Sequence, residues 1–589
     1  MDIGHINQVS GVTEHVVQNG MQIDFDLELV MEDGVTLRAD VFRPIDEGKY
    51  PILLTYGPYG KWLHFKDGYA RQWHAMETKY KASLEGSSNR YMNWETVDPE
   101  KWVCDGYVIV RIDSRGAGRS EGVIDCWSAR EAQDIYNCIE LLAQQPYSSG
   151  KVGMLGISYY AVNQWAAAAL KPPHLAAICP FEGANDMYRD IARHGGLVCT
   201  FVEKWWKVQV DRLQHGRGDN GLISSITGKS VAGPETLTDS ELQKNRAQLL
   251  SQTFQEREMM DEWYQARITD LSQIEIPVLS CGNWGGNALH LRGNVEGYMR
   301  IPSKQKWLEP HGLEHFAEFY TPYGVDLQKR FFNHFLKGMD TWHQAPVHLR
   351  LRNVDGTFTD RDEQEWPIAR TDWTKYYLDV NHLHLSTEQP EDGETSFYGF
   401  SNGLSFFTPP LEQELEITGN IAAKLFVKST TEDADLFVTL RVLDPDGRDV
   451  TFISAGDPKG VIATGWLRAS HRKLDTKKSL PYRPWHTHDE KQPLVPGEVY
   501  ELDIEVWPTS VVIPAGYRLG VQISGKDFEV PNYGAALHAF GTTYFGNGSY
   551  THDNPADRDP SKFGGHTTLV SENGNRPYLL LPIIPPKKE

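Results

Sequence analysis

The chain has few cysteines and lacks the spaced cysteine and histidine clusters that bind metals. It has 589 residues and six cysteines, none of them in a Cys-x-x-Cys pair, and it contains no His-Glu-x-x-His motif. Four of the six stand in apolar or helical stretches, which favours reduced, buried thiols over a disulfide framework. We therefore expect no metal and no other cofactor. The cysteines are Cys104, Cys126, Cys138, Cys179, Cys199 and Cys281.

Long basic runs and long apolar runs are also missing. The formal net charge is -21 and no cluster of lysines or arginines offsets it. This pattern argues against a nucleic-acid partner and against binding to anionic membranes. No stretch reaches the roughly 18 consecutive apolar residues of a membrane-spanning helix. The opening residues, "MDIGHINQVSGVTEHVV", have neither the basic nor the apolar region of a secretory signal. We expect a cytoplasmic protein.

Short apolar runs that end in loops, alternating with helical periodicity, indicate the α/β class. Such runs are typical of parallel strands buried on both faces. Residues 129–144 place apolar side chains on one face of a helix, and residues 22–43 alternate around a Glu-Asp-Gly turn as an antiparallel hairpin does. The predicted buried strands centre on residues 52–54, 108–112, 152–155, 176–179 and 276–281.

Changes in composition and in hydrophobic periodicity divide the chain into three parts. Residues 182–270 are polar, carry several tryptophans and have helical character, so we interpret them as a helical cap inserted over the active face. From residue 346 to residue 589, short alternating runs recur between Gly, Pro and Asn turns, which predicts an all-β sandwich of the jelly-roll kind. The α/β domain then comprises residues 1–181 and 271–345.

One serine stands at a predicted strand-to-helix junction. In "KVGMLGISYYAVNQWAAAAL", residues 151–170, Gly156 lies two positions before Ser158, which suits the sharp turn of a serine nucleophile. The position two after it holds Tyr160 rather than the usual glycine, and the small Ala161 follows one place later. From these residues alone, Ser158 is either an activated nucleophile or an ordinary N-cap of the next helix.

Several motifs together resemble one enzyme family. "YGPYGKW", "IDSRGAGRSEG", "KVGMLGISYYAVNQWAA", "DMYRD" and "PAGYRLGVQISG" are similar to segments of the CocE/NonD serine hydrolases, a family that includes cocaine esterase and the X-prolyl dipeptidyl-peptidases. The resemblance extends from about residue 25 to about residue 580. It implies an α/β-hydrolase domain, a helical cap and a C-terminal jelly roll, with hydrolysis of ester or amide bonds through an acyl-enzyme.

The resemblance also implies roles for individual residues. Ser158 matches the family nucleophile, and the oxyanion hole would consist of the Tyr159 amide and the Tyr59 hydroxyl. In "QKWLEPHGLEHFAEFY" two histidines qualify as the general base: His315 precedes the aromatic stretch of the family motif, whereas His311 lies nearer to the strand end. We favour His315.

The acid of the catalytic triad departs from the family pattern. Gly285, in "CGNWGGN", stands where the family carries an aspartate. In α/β-hydrolases the carboxylate can instead follow the preceding strand, and Glu182 occupies that place, so we predict Glu182 as the acid. Asp186 is an alternative acid, although we expect it to organise the cap instead. The remaining alternatives are Glu296, Glu309 and Glu314.

Three hypotheses on function follow. The first is a serine esterase or amidase for a small-molecule substrate. The second is an X-prolyl or aminoacyl peptidase, or an α-amino-acid ester hydrolase, in which carboxylates such as Glu203 and Asp186 would hold a free ammonium group. The third is a non-catalytic carbohydrate-binding protein that has lost its acid, with Gly285 as its support. The sequence allows a homo-oligomer without indicating one.

Overall fold

The computed structural model describes residues 8–454, 456–533, 545–547 and 550–586. These residues form two units, each built around one large sheet. The first sheet buries two apolar clusters, one of which extends to residues of the second unit, and the second sheet encloses a third. Across the described ranges, each helix is either too short or too polar to cross a lipid bilayer.

Twelve strands form the sheet of the first unit, and a separate hairpin lies in the insertion. The sheet order is β1-β3-β4-β6-β5-β7-β8-β11-β12-β13-β14, with β2 on β3, and β9 pairs with β10. In chain order the strands are β1 (Gln8–Ser10), β2 (Glu14–Gln18), β3 (Met21–Val30), β4 (Thr36–Pro44), β5 (Tyr50–Gly57), β6 (Val108–Asp113), β7 (Ser148–Ile157), β8 (Leu175–Phe181), β9 (Arg193–His194), β10 (Leu197–Val198), β11 (Val278–Asn283), β12 (Lys306–His311), β13 (Val347–Arg352) and β14 (Phe358–Glu363).

The centre of this sheet is parallel, as the apolar runs predict. Strands β6, β5, β7, β8, β11 and β12 pair with one another in parallel in this order, and all residues of β6 and β11 are buried. Continuous apolar strands are stable only when helices cover both faces of the sheet. The predicted hairpin of residues 22–43 is confirmed as the antiparallel pair β3–β4, whose turn places Gly34 at φ 82°.

The longest helices pack beside the parallel strands of the first unit, and most of the other helices are short. Helix α4 confirms the predicted helix, and it begins where the Ser128 side chain accepts a hydrogen bond from the Glu131 amide. The helices are α1 (Phe65–Gly68), α2 (Ala70–Thr78), α3 (Pro99–Val103), α4 (Ala129–Ala143), α5 (Tyr159–Ala169), α6 (Phe201–Trp205), α7 (Asp239–Lys244), α8 (Leu250–Glu256), α9 (Glu262–Gln265), α10 (Leu291–Arg300), α11 (Ala317–Tyr320), α12 (Pro322–Lys337) and α13 (Pro560–Phe563).

The second unit is rich in strands, and its sheet closes on itself. The order is β17-β24-β19-β22-β21-β20-β23-β18-β16-β15-β25, and closure follows because β25 also pairs with β19. The strands are β15 (Asp372–Asp379), β16 (His384–Ser386), β17 (Gly393–Tyr398), β18 (Leu404–Phe407), β19 (Leu415–Ser429), β20 (Asp435–Leu443), β21 (Ala463–Arg468), β22 (Tyr500–Ile513), β23 (Arg518–Ser524), β24 (His566–Ser571) and β25 (Tyr578–Ile583).

The alternating sequence pattern starts at residue 346, but the second sheet starts later in the chain. The hairpin β13–β14 extends the first sheet, because β13 pairs with β12, and the second sheet starts only at Asp372. A hairpin shows the same alternation whichever sheet it joins, so the pattern near residue 346 indicated strands without indicating their partners.

Buried ion pairs and close backbone contacts join the two units. Arg292 binds Asp190 at 2.9 Å in the first unit and Glu505 at 2.9 Å in the second. The loop that contains Gly285 lies directly against the backbone of the second unit: a Cβ atom at this glycine would be 2.5 Å from the Ser454 Cα atom and 2.7 Å from the Ile453 carbonyl oxygen. A side chain at residue 285 is therefore excluded by the neighbouring unit.

We predict that Gly285→Ala lowers the thermal stability of the protein. The added Cβ atom would collide with backbone that has no rotamer to change, and overpacking of this kind costs about 1–3 kcal/mol in the free energy of unfolding. Gly282→Ala in the same segment is the control, since its Cβ would lie no closer than 3.3 Å to any neighbour. Equal midpoints of thermal unfolding for the two variants would contradict the prediction.

Candidate active site

Ser158 occupies a strained turn between β7 and α5. It takes φ 59° and ψ -115°, which a non-glycine residue rarely adopts. The turn is tight because Gly156, at φ 158°, leaves room for helix α5: a Cβ atom there would lie 2.6 Å from the Tyr160 Cβ. A serine on such an elbow presents its hydroxyl at the end of the strand, as a nucleophile requires.

His315 and Glu182 are joined by a hydrogen bond. The His315 Nδ1 atom lies 3.0 Å from Glu182 Oε2. Glu182 follows β8 directly and takes φ 51°, and Asn283 at the end of β11 donates its amide to Glu182 Oε1 at 3.0 Å. The loop that lacks an acid at Gly285 therefore supplies a hydrogen-bond donor to the carboxylate of the neighbouring strand.

The electrostatics of this pair follow from burial and from charge. Burial alone would raise the pKa of Glu182, but the His315 and His311 rings lower it to about 2. Burial alone would lower the pKa of His315, but Glu182 and Glu95 raise it to about 10. Glu182 is thus held as a carboxylate that stabilises a protonated imidazole.

Glu95 is a second carboxylate against the same imidazole. Its Oε1 atom lies 2.7 Å from His315 Nε2. The ring nitrogen that would take the proton of Ser158 is therefore hydrogen-bonded to Glu95 in this structure. Its own carbonyl accepts a hydrogen bond from the Ile157 amide, which ties the Glu95 loop to the end of β7. Burial raises the pKa of Glu95 to about 7, even though the His315 hydrogen bond and charge act in the opposite direction.

His311 is close to this network but is turned away from the cavity. Its Nδ1 atom is 2.9 Å from Glu309 and its Nε2 atom 3.4 Å from Glu182. It is 1% exposed, whereas His315 lines the cavity that contains Ser158. The arrangement favours His315 over His311 as the base.

The alternative acids are engaged elsewhere. Asp186 binds Arg189 at 2.7 Å and caps the segment that follows it. Glu296 binds Arg483 of the second unit with both oxygens, Glu309 binds His311, and Glu314 binds Lys79 and Tyr80. Of the carboxylates predicted from the sequence, Glu182 is therefore the one brought to His315.

The two residues predicted to hold the oxyanion lie beside the elbow. Tyr159 is the first residue of α5, so its amide has no partner within the helix, and its side chain is anchored by a 2.6 Å hydrogen bond to Glu131. Tyr59 is buried behind the cavity wall, where its hydroxyl accepts a hydrogen bond from Trp205 at 2.9 Å. Burial, reinforced by the charge of Glu95, raises the pKa of Tyr59 well above its usual value, so the hydroxyl keeps its proton.

Ser158 opens onto a cavity of about 390 Å³ that is lined by both units. Glu95, His290 and His315 line it in the first unit, together with Trp205 of the insertion. His290 stacks on His315 with ring centroids 5.4 Å apart, and burial lowers the pKa of His290 to about 3, so it stays neutral. The second unit contributes Ser454, Asp457 and Tyr550.

Sequence reasoning missed Glu95, His290 and Asn283. Glu95 and His290 lie in loops without periodic pattern or motif, so no local signal pointed to them. Asn283 stood inside the "CGNWGGN" segment that was recognised for its missing acid, and its position at the carboxyl end of a predicted strand was the available signal.

Comparisons with known proteins agree with this geometry. Two family models match: the X-Pro dipeptidyl-peptidase (S15 family) over residues 33–316 and the X-Pro dipeptidyl-peptidase C-terminal non-catalytic domain over residues 341–536. Cocaine esterase of Rhodococcus sp. (strain MB1 Bresler) is 25% identical over 587 residues, which cover 88% of this chain and 93% of that protein.

Solved structures extend the likeness over the whole chain. A CocE/NonD family hydrolase from Staphylococcus aureus has a TM-score of 0.82 at 28% identity, with 99% of this chain and 98% of that chain covered. An α-amino acid ester hydrolase shares the fold, with a TM-score of 0.65 at 16% identity. The match covers 97% of this chain and 98% of that chain.

The strained serine, the paired histidine and these relatives define an enzyme of the serine hydrolase class, which cleaves esters or amides. Within that class the chain is a CocE/NonD-like hydrolase with a strand-rich C-terminal domain, and the resemblance inferred from its motifs is confirmed.

We predict that Glu95→Gln shifts the pH dependence of activity to lower pH. His315 accepts a proton only when it is neutral, and its neutral fraction grows as the pH rises through its pKa. Removing the negative charge of Glu95 lowers the pKa of His315, so the rising limb of kcat/KM moves down by about one to three pH units.

The measurement is kcat/KM for a nitrophenyl ester across the pH range. Glu314→Gln is the matched control, because it removes a carboxylate from the same cavity wall that binds Lys79 and Tyr80 instead of His315. A limb that does not move in Glu95→Gln, or that moves equally in both variants, would show that Glu95 does not set the pKa of the base.

Proposed function

We propose that the protein hydrolyses small carboxylic esters or amides through an acyl-enzyme on Ser158. The observation that carries this proposal is the Glu182–His315 hydrogen bond on the wall of the cavity into which Ser158 opens. His315 Nε2 removes the Ser158 proton once it exchanges Glu95 for the serine, and the serine oxygen attacks the carbonyl carbon. His315 then protonates the leaving group, and water, activated by the same imidazole, releases the acid.

The oxyanion is stabilised by the Tyr159 amide and by the Tyr59 hydroxyl. Trp205 occupies an acceptor site of that hydroxyl, which leaves its proton available to a developing negative charge. A single donor of this kind typically contributes about 100- to 1,000-fold in rate. Glu182 orients His315 and balances the imidazolium charge during the reaction.

The proposal includes an α/β-hydrolase architecture for the first unit and a jelly roll for the second. In the first, the serine follows β7 at the centre of the parallel strands, and the acid follows the adjacent strand β8. In the second, long antiparallel strands close around one apolar core. Five of the six cysteines are buried and all are unpaired, which supports a reducing, cytoplasmic setting. The formal net charge of -21 favours a small-molecule substrate over a nucleic acid or an anionic membrane.

We predict that a fluorophosphonate labels the native protein once, and that Ser158→Ala abolishes both the label and the activity. Intact mass gives the label, and nitrophenyl-ester hydrolysis gives the activity. Glu182→Gln keeps the serine but removes the charge that balances His315, and the loss in kcat is expected to be about 1,000- to 10,000-fold.

Glu314→Gln is again the control and keeps activity close to the native level. Labelling that persists in Ser158→Ala would place the nucleophile elsewhere. A Glu182→Gln variant with near-native kcat would remove Glu182 from the triad.

A second candidate is hydrolysis of substrates that carry a free α-amine. When His315 turns to Ser158, Glu95 remains as a buried carboxyl group in the cavity, and its Oε2 atom has no hydrogen-bond partner among the described residues. A substrate ammonium group would satisfy it. The residues first predicted for this task do not fit: Glu203 is exposed outside the cavity, and Asp186 is paired with Arg189.

We predict that an amino-acid ester with a free α-amine is preferred over its N-acetyl derivative, and that Glu95→Gln reduces this preference at least about tenfold. The ratio of the two kcat/KM values measures it, and Glu203→Gln serves as the control that leaves it unchanged. Equal ratios for native protein and Glu95→Gln would leave the simple esterase as the function.

A further inference from the structure

Two histidines and a cysteine meet at the seam between the insertion and the second unit. His194 ends β9, Cys199 follows β10, and His552 comes from the second unit. Their potential ligand atoms all lie within 4.8 Å of one another, and the three residues are only 1–2% exposed. The group lies outside the catalytic cavity and plays no part in the reaction proposed above.

The hydrogen bonds around the two imidazoles require more protons than two neutral rings carry. His552 Nδ1 lies 2.9 Å from Asp527 Oδ1, and His194 Nε2 lies 3.2 Å from the Asp190 carbonyl oxygen, so both outer nitrogens need a proton. The inner nitrogens, His194 Nδ1 and His552 Nε2, are 2.7 Å apart and would need a third. Two neutral imidazoles supply only two.

We propose that His194, Cys199 and His552 bind a zinc ion. A cation at the shared inner face removes the mismatch, because each ring then keeps the one N–H that its outer contact requires. Cys199 binds as the thiolate and releases its proton to solvent.

The outer contacts have the form found around histidine metal ligands. Such a histidine typically donates its second ring N–H to a carboxylate or to a backbone carbonyl, which fixes the tautomer and the orientation of the ring. His552 has the carboxylate of Asp527 and His194 has the carbonyl of Asp190. Both imidazoles are therefore oriented with their inner nitrogens toward each other.

The ligand chemistry selects the ion. One thiolate and two imidazoles suit zinc, whereas Mg²⁺ and Ca²⁺ prefer oxygen ligands. Tetrahedral zinc with bonds of roughly 2.0–2.3 Å places its ligand atoms roughly 3.3–3.6 Å apart, so the two inner nitrogens must separate by about 0.6 Å on binding. The described residues supply three protein ligands, and water completes the coordination.

A metal here would hold one wall of the catalytic cavity. Phe201 lies two residues after Cys199, and Tyr550 lies two residues before His552. Both aromatic residues line the cavity. Their ring centroids are 5.3 Å apart. The ion would connect the insertion to the second unit directly behind this aromatic pair.

The test uses the full-length protein with Cys104→Ser, which removes the exposed cysteine. The protein is loaded with Zn²⁺, freed of excess metal by gel filtration and analysed for metal content by mass spectrometry. About one zinc per chain is expected. Cys199→Ala and His194→Gln should lose it, and Cys138→Ala, which removes another buried cysteine, should retain it.

Loading with Co²⁺ provides a second measurement that needs no variant of the site. Ligation by Cys199 gives a sulfur-to-cobalt charge-transfer band in the near ultraviolet, and excess Zn²⁺ abolishes it. A protein that retains no zinc and shows no such band overturns the proposal, as does a Cys199→Ala variant that folds and binds zinc like the parent. In either case the inner contact is a hydrogen bond of a protonated histidine pair.

Discussion

The hydrogen bond between Glu182 and His315 is the interaction on which the architecture of the candidate site depends. A carboxylate that is 1% exposed is stable as an anion only when its neighbours compensate for the lost water. Asn283 at the end of β11, and His311 and His315 at and just after the end of β12, supply that compensation. The parallel strands β8, β11 and β12 end side by side and bring these segments together, so the precision of the site derives from the sheet.

The position proposed for the acid has consequences beyond the proposed triad. With the carboxylate after β8, the turn after β11 needs no side chain, and Gly285 allows the backbone at Ser454 to approach it. A glycine at residue 285 is thus compatible with close docking of the second unit, which in turn adds Ser454 to the wall of the candidate cavity. The location of the proposed acid and the contact between the units are linked at Gly285.

Much of this arrangement could be predicted from the sequence, because parallel strands buried on both faces leave continuous apolar runs. The strand that precedes Ser158 is an example. The helix over residues 129–143 was equally predictable, because its apolar residues recur on one helical face. Tertiary partners left no such trace. Glu95 reaches His315 across 220 positions, and His194 reaches His552 across 358. Spacing reports which residues share a helix face or a strand, but contacts between loops and the pairing of the hairpin β13–β14 are decided only when the whole chain packs.

The close involvement of the second unit also sets the order of events during synthesis. Ser158, Glu182 and His315 have left the ribosome long before Tyr550, yet Tyr550 belongs to the wall of the cavity into which the serine opens. The nascent chain therefore lacks this part of the cavity wall until Tyr550 has been synthesised. Any contact between a substrate and this wall thus requires that the second unit has been made and has docked on the first.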